Sequence, residues 1–236
     1  MLRTIFWFLY FFGFLLYSIP TLNRVKKLDL TLNVQERDKI IHQLPQHWAK
    51  RLVEITSSQV QVNGTENLPD GPVLFVSNHQ GNFDIPVLLG YVNKPMGFIS
   101  KVEVQKIPIV PRWMEVMNCV FINRKDRRQA ILSIKEGAEK LKKGHSLVIF
   151  PEGTRSKGGE VAEFKAGSLR LATDSGVPIV PIAINGTYKI MEHGGLFMKP
   201  SNVEVSILPP IVGTENRNVK ELAKELQTLI SKKITP

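Results

Sequence analysis

The sequence predicts an α/β fold: a single domain with a mostly parallel central sheet of about seven strands flanked by helices, preceded by an N-terminal helical membrane-anchoring segment. Three observations carry this. After Ser57, short β-prone runs alternate with amphipathic helical patterns. Several of those runs end in loops that carry a histidine, a carboxylate or a cation. Ahead of them, residues 5 to 19 read IFWFLYFFGFLLYSI, apolar and aromatic almost without a break.

A chain of 236 residues can bury one sizeable core. Hydrophobic residues at 43% against 22% charged exclude a disordered chain. The net charge of +10 points to an anionic partner: nucleic acid, an anionic membrane surface, or an acidic carrier or phosphorylated substrate. Cys119 is the single cysteine, which rules out an intrachain disulfide and a cysteine-rich zinc site. It falls in an apolar run, where a small buried residue is the ordinary role. The five histidines show no ligand spacing, so no metal is expected.

Taken in order, the apolar run of residues 5 to 19 is shorter than the roughly 20 residues that span a hydrocarbon core, and Pro20 ends it. No small-residue cleavage pattern follows it, so it reads as a retained anchor, shallow or marginally spanning. If it spans, Arg24, Lys26 and Lys27 outweigh Arg3 and place the body on the cytoplasmic face. Between Leu32 and Ile55, Ile40, Ile41, Leu44, Trp48, Leu52 and Ile55 recur at helical steps. They predict one amphipathic helix or two, with Pro45 as the candidate break. Residues 1–56 are thus expected to form the N-terminal anchoring region, and 57–236 the α/β domain.

The strands expected in that domain are Gln59 to Val62, Val73 to Ser77, Gly97 to Ser100, Cys119 to Asn123, Leu147 to Phe150, Ile179 to Ile184 and Val203 to Leu208. The clearest helix runs from Arg127 to Lys143, with Ile131, Ile134, Ala138 and Leu141 on one face and Gly144 as its stop. A last helix, Val219 to Ile230, is opened by Asn218 with Glu221 three residues on.

Two loops concentrate the chemistry. After the run ending at Val76 come Asn78-His79-Gln80-Gly81-Asn82-Phe83-Asp84. His79 and Asp84 meet only if the intervening residues bend as a loop, which Gly81 permits. Two readings stand at this point: a His79/Asp84 dyad, or an Asp84 that caps the helix opening at Ile85-Pro86 beside a loop histidine. The second loop, Pro151-Glu152-Gly153-Thr154-Arg155-Ser156, follows the strand at Leu147. Gly153 admits close backbone approach, Thr154 and Ser156 offer hydroxyls, and Arg155 offers a planar fork for phosphate or carboxylate. Glu152, beside those donors, needs another task, such as meeting a substrate hydroxyl or holding an arginine. Arg124 and Lys101 end two further strands. Open α/β sheets place ligands at the carboxyl ends of strands, so these groups are expected to line one crevice.

Four blocks in order, Asn78-His79 to Asp84, Phe121-Ile122-Asn123-Arg124, Phe150 to Ser156, and Val177-Pro178-Ile179-Val180-Pro181-Ile182-Ala183, resemble the motifs of the glycerolipid acyltransferases, most closely the bacterial 1-acyl-sn-glycerol-3-phosphate acyltransferases. The resemblance covers about residues 60 to 190. Pro111 and Asn118 stand where the second block usually shows glycines, and Asn123 where it often shows Asp, departures that bear on acceptor and acyl-chain preference. The resemblance implies that His79 is the general base and Asp84 its orienter, with the substrate hydroxyl in place of a serine. It implies that Arg124, Arg155 and Lys101 hold the acceptor phosphate, with Glu152, Gly153 and Thr154 shaping that site and loop amides near Gly81 facing the oxyanion. The expected partners are the lipid bilayer, lysophosphatidic acid and an acyl thioester, either acyl-CoA or acyl carrier protein, with no cofactor. Rival readings are an acyltransferase using another lysolipid or glycerol phosphate, and a noncatalytic binder of anionic lipid or nucleic acid. Against nucleic acid, the aromatic residues crowd into the N-terminus instead of interleaving with the cations.

Overall fold

Successive side chains of an extended strand point to opposite faces. Val73 and Phe75 accordingly enter one apolar cluster, and Leu74 and Val76 enter another. A strand buried on both sides belongs at the middle of a sheet covered by helices on both faces. The computed structural model, which describes residues 2–29, 31–193 and 197–234, places it there.

Among the described residues the sheet has seven strands: β1 (Gln59–Asn63), β2 (Leu74–Ser77), β3 (Gly97–Lys101), β4 (Val120–Ile122), β5 (Leu147–Ile149), β6 (Ile179–Asn185) and β7 (Asn202–Ile207). Their order is β1-β7-β6-β2-β5-β3-β4. Every neighbouring pair is parallel except β6 and β7, so β1 and β7 run against the other five. The mostly parallel sheet read from the sequence is present, each strand within a residue or two of its expected bounds.

Helices α6 (Arg127–Lys142), α7 (Arg170–Ser175) and α8 (Val219–Ser231) cover one face, where Ile134, Leu171 and Leu222 meet Leu74, Val76 and Ile149. Their ends follow local chemistry. Asp126 caps α6 by accepting from Arg128 N and Gln129 N, Gly144 past its end has φ +100°, and Asn218 caps α8 through Lys220 N. The other face is covered by α1 (Leu2–Tyr17), α2 (Ile19–Val25), α3 (Val34–Ile55), α4 (Asp84–Tyr91) and α5 (Val110–Val116), which share one apolar cluster with Phe75, Phe98 and Val148. The N-terminal helices thus pack on the sheet layer.

Three local expectations are corrected or completed. α3 runs unbroken through Pro45, which is buried in its interior; packing against the domain outweighs the roughly 3 kcal/mol that an interior proline costs. Pro20 does not simply end the apolar run but lies in the first turn of α2, whose axis bends 44° from α1. α5 and α7 are too short to show a periodic stripe in sequence.

No single described helix is long and apolar enough to cross a membrane, though the bent pair α1 and α2 is by length and composition. α1 buries Trp7 and Leu15 against the domain and exposes Ile5, Leu9, Phe12 and Leu16, one face at helical spacing.

Candidate active site

Because β6, β2 and β5 are consecutive and parallel, the loops that follow them leave the same edge of the sheet side by side. The side chain of Asn78 continues the β2–β6 pairing past the end of β2, donating to Ile184 O at 2.9 Å and accepting from Ile184 N at 2.8 Å. On the other side, Ser156 N donates to His79 O and Lys157 N to Gln80 O, tying the loop to the one after β5. The Gln80 side chain accepts from Gly186 N at 2.9 Å, which joins the loop after β6.

Within this frame His79 Nδ1 lies 2.7 Å from Asp84 Oδ2. Asp84 is fully buried, and the same oxygen accepts from Gln80 N at 2.7 Å and Gly81 N at 2.9 Å, while Oδ1 accepts from the Thr187 hydroxyl. These donors offset the cost of burying the charge. A carboxylate only accepts, so Nδ1 carries the proton and Nε2 the lone pair. One face of the imidazole stacks on Phe150, with ring centroids 4.2 Å apart, and the side chain stays 17% exposed. The arrangement is a solvent-reachable imidazole held in orientation by a buried carboxylate.

The alternative in which Asp84 caps α4 is not what the chain adopts. Asp84 is the first helical residue, and its oxygens serve the loop amides and Thr187. Of the loop amides near Gly81, Gln80 N and Gly81 N donate to Asp84, and Asn82 N donates to Glu192 Oε1 at 2.7 Å.

Glu152 is corrected as well. It is 3% exposed, and its two oxygens accept from His79 N at 2.6 Å and Ala162 N at 2.9 Å. A carboxylate so placed anchors the backbone of the histidine and does not face a substrate. Burial raises its pKa above the ordinary glutamate value, with the two amide bonds pulling the other way.

Gly153 has φ +70°, a conformation that favours glycine, and its amide closes a turn onto Phe150 O. Its carbonyl accepts from the Arg124 guanidinium. Arg155 donates to Glu192 Oε1 at 3.3 Å and remains part-exposed, while Thr154, in the loop after β5, and Lys101, at the end of β3, are exposed. His79, Asp84, Glu152 and Arg155 are therefore gathered around β2, β5 and β6. Arg124 approaches from β4 and Lys101 from β3, beyond β5.

Beside the loop lies an apolar cavity of about 510 Å³, bordered by Asn82 and Phe83 and walled by side chains of α1, α3, α4 and α5, among them Trp7, Trp48, Leu89 and Trp113. Cys119 lines it, and burial pushes its thiol up to about 11, which keeps it neutral and unreactive.

A histidine and an aspartate in contact are not sufficient evidence of catalysis in this chain. His145 Nδ1 and Asp38 Oδ2 also lie 2.7 Å apart, but they are buried at the amino edge of β5, where they join α3 to the sheet. Position at the carboxyl edge distinguishes the first pair. The acyltransferase family model matches residues 59–185, which include that pair and both loops around it.

This chain belongs to the acyltransferase family. A 1-acyl-sn-glycerol-3-phosphate acyltransferase from Pseudomonas aeruginosa is 30% identical over 194 residues, covering 79% of this chain and 74% of its own. The chloroplastic 1-acyl-sn-glycerol-3-phosphate acyltransferase of Arabidopsis thaliana is 40% identical over 182 residues, or 76% of this chain. This acyltransferase spans about half the length of that plant relative, 51%. The crystal structure of the 1-acyl-sn-glycerophosphate acyltransferase PlsC from Thermotoga maritima superposes with a TM-score of 0.84 at 33% identity, covering 98% of this chain and 92% of that one.

Sequence reading of the acyltransferase passed over Gln80, Phe150, Thr187 and Glu192 as site residues. Thr187 follows β6 at the same sheet edge as His79, so the rule that ligands gather at carboxyl ends of strands would have flagged it. Glu192 gave no such signal, because its approach to Asn82 depends on the path of the loop after β6.

Proposed function

We propose that this chain moves a fatty acyl group from an acyl thioester to the free hydroxyl of 1-acyl-sn-glycerol 3-phosphate, giving phosphatidic acid. The observation that carries the reading is the His79–Asp84 pair, oriented through Nδ1 at 2.7 Å, beside a cavity of about 510 Å³ that suits an acyl chain. The names of the relatives agree with it.

In the proposed step Nε2 of His79 takes the hydroxyl proton as that oxygen bonds to the thioester carbonyl carbon. Asp84 stabilises the imidazolium. When the tetrahedral intermediate collapses, the carbon–sulfur bond breaks, and the imidazolium proton goes to the departing thiolate. Arg155, with Lys101, Arg124 and Thr154, is the proposed set of donors for the acceptor phosphate. The donor is acyl-CoA or acyl carrier protein, and no cofactor enters the step.

The exposed apolar face of α1 supports membrane association, since Leu9 and Leu16 are 66% and 62% exposed in a contiguous run of aromatic and aliphatic side chains. Arg24, Lys26 and Lys27 at the far end of α2 favour the cytoplasmic face.

The test is turnover by the purified full chain offered lysophosphatidate and both donor types, read by free thiol and by mass spectrometry of the lipid product. Phosphatidate should form, and His79→Ala should lower turnover by roughly 10²- to 10⁴-fold. Thiol release that persists in a folded His79→Ala chain would sink the assignment, and binding of lysophosphatidate without thiol release would favour a noncatalytic binder.

A further inference from the structure

A second cavity, of about 470 Å³, lies on the α6–α8 face of the sheet, opposite the layer of α1 to α5. Its lining carries Arg127, Lys135, Lys165 and Arg170, against the one carboxylate of Asp174, while Arg124, proposed above for the acceptor phosphate, stands where this cavity meets Gly153. Its walls include Ile122, Ile134 and Ile149, an aliphatic surface of the kind on which a planar ring packs. We propose that this cavity binds the phosphorylated nucleotide of a coenzyme A thioester, the anionic end of the acyl donor; the assignment rests on the acyl-transfer reading above.

The cations stand uncompensated. Among the described residues Arg127, Lys135, Lys165 and Arg170 form no ion pair, whereas further along the same helix Lys140 pairs with Glu136 and Lys142 with Glu139. Arg127 stands in the first turn of α6, whose amides Arg128 N and Gln129 N are already capped by Asp126, so the pull on an anion comes from the clustered side-chain cations, whose mutual repulsion a bound anion relieves. Charge of one sign around a concave apolar floor is the arrangement expected for a phosphate-bearing ring system.

The cavity is also joined to the reaction centre. Phe150, whose ring stacks on His79, and Gly153 form part of its lining. Lys165 lies against Gly153, so close that a Cβ there would stand 2.6 Å from its Nζ. A donor with its nucleotide in this cavity therefore starts next to the wall that supports the base. The cavity lies on the opposite face of the sheet from α1, whose exposed apolar side chains are the proposed lipid contact, so a water-soluble donor would reach it from the other side of the molecule. A cavity of about 470 Å³ is of a size for a nucleotide, whereas a carrier protein would need a docking face of roughly 800 Å².

The experiment is isothermal titration of the full chain in detergent micelles with adenosine 3′,5′-bisphosphate and with coenzyme A. Both ligands should bind and compete, and Lys135→Ala/Arg170→Ala should weaken each by about tenfold or more. Lys135→Arg/Arg170→Lys should restore binding, which separates lost charge from lost folding, and His79→Ala should bind like the unaltered chain. Absence of binding to the unaltered chain, or equal binding by the double alanine variant, overturns the proposal. Turnover with an acyl carrier protein thioester in a chain that binds neither nucleotide also overturns it, and leaves the acyl-transfer reading intact. Binding that depends on Lys135 and Arg170 without thiol release from any donor upholds the nucleotide site and defeats the acyl-transfer reading.

Discussion

Asp84 holds the His79 ring, the proposed base, with all of its acceptor capacity in use. His79 Nδ1, two loop amides and Thr187 share its oxygens inside a fully buried pocket, so removing one donor leaves a charge less well compensated. Thr187→Val should therefore destabilise the fold by roughly 1–3 kcal/mol and lower turnover, while Thr187→Ser should restore most of both. Thermal melts and steady-state rates on the three proteins check this. Glu152 gives a pH signature. Its folded pKa is raised by burial, so between the ordinary glutamate value and the raised one the folded chain holds a proton that the unfolded chain releases. That contribution is full below the ordinary value and lost as pH rises through the raised one. Glu152→Gln should abolish this slope and also lower the melting temperature throughout, since one amide loses its acceptor. Melting temperature against pH for the two chains should show curves that differ in slope across that window.

The N-terminal helices pack into the domain as well as presenting the proposed membrane face. Trp7 Nε1 donates to Leu52 O at 2.9 Å and Trp113 Nε1 to Ser18 Oγ at 2.8 Å, so α1 is locked to α3, and the α1–α2 junction to α5. Trp7, Leu15, Leu22 and Val25 are buried, and each large apolar side chain contributes about 1.5–3 kcal/mol. Deleting residues 1–25 should thus do more than release the protein from membranes. It should lower the urea midpoint and open the apolar cavity, which a fluorescent hydrophobic probe would report. Trp113→Phe is the point version, with an expected loss of about 1 kcal/mol. An N-terminal deletion that melts like the full chain would mean that the helices serve anchoring alone.

For the molecule as a whole, the two faces of the sheet differ in character. One carries the helices with an exposed apolar stripe, the other the cationic cavity. Leu9→Glu/Leu16→Glu changes two exposed positions on α1, so it should leave the fold stable and reduce co-flotation with lipid vesicles severalfold, a measurement indifferent to activity.

Much of this architecture was legible in sequence because it rests on local rules. Short apolar runs marked the strands, Gly144 marked the end of α6, and the spacing of His79 and Asp84 around Gly81 left a dyad and a helix cap both open until the four motif blocks were read together. Glu152 was misread for a physical reason. Its partners, His79 N and Ala162 N, are 73 and 10 residues away, and no local pattern encodes which backbone donors converge on a buried carboxylate. For α3 the sequence left one helix or two, because the packing that carries it through Pro45 comes from the layer beneath.

The sequence alone determined the elements, the chemistry at their ends and the family likeness, because these depend on side-chain type and short spacing. Only the tertiary structure decided the strand order that sets the loops after β6, β2 and β5 side by side. It also decided which His–Asp pair stands at the carboxyl edge, and which cations face a common cavity. Those outcomes are long-range: they follow from how two helical layers bury the faces of one sheet, a choice made by the whole core at once.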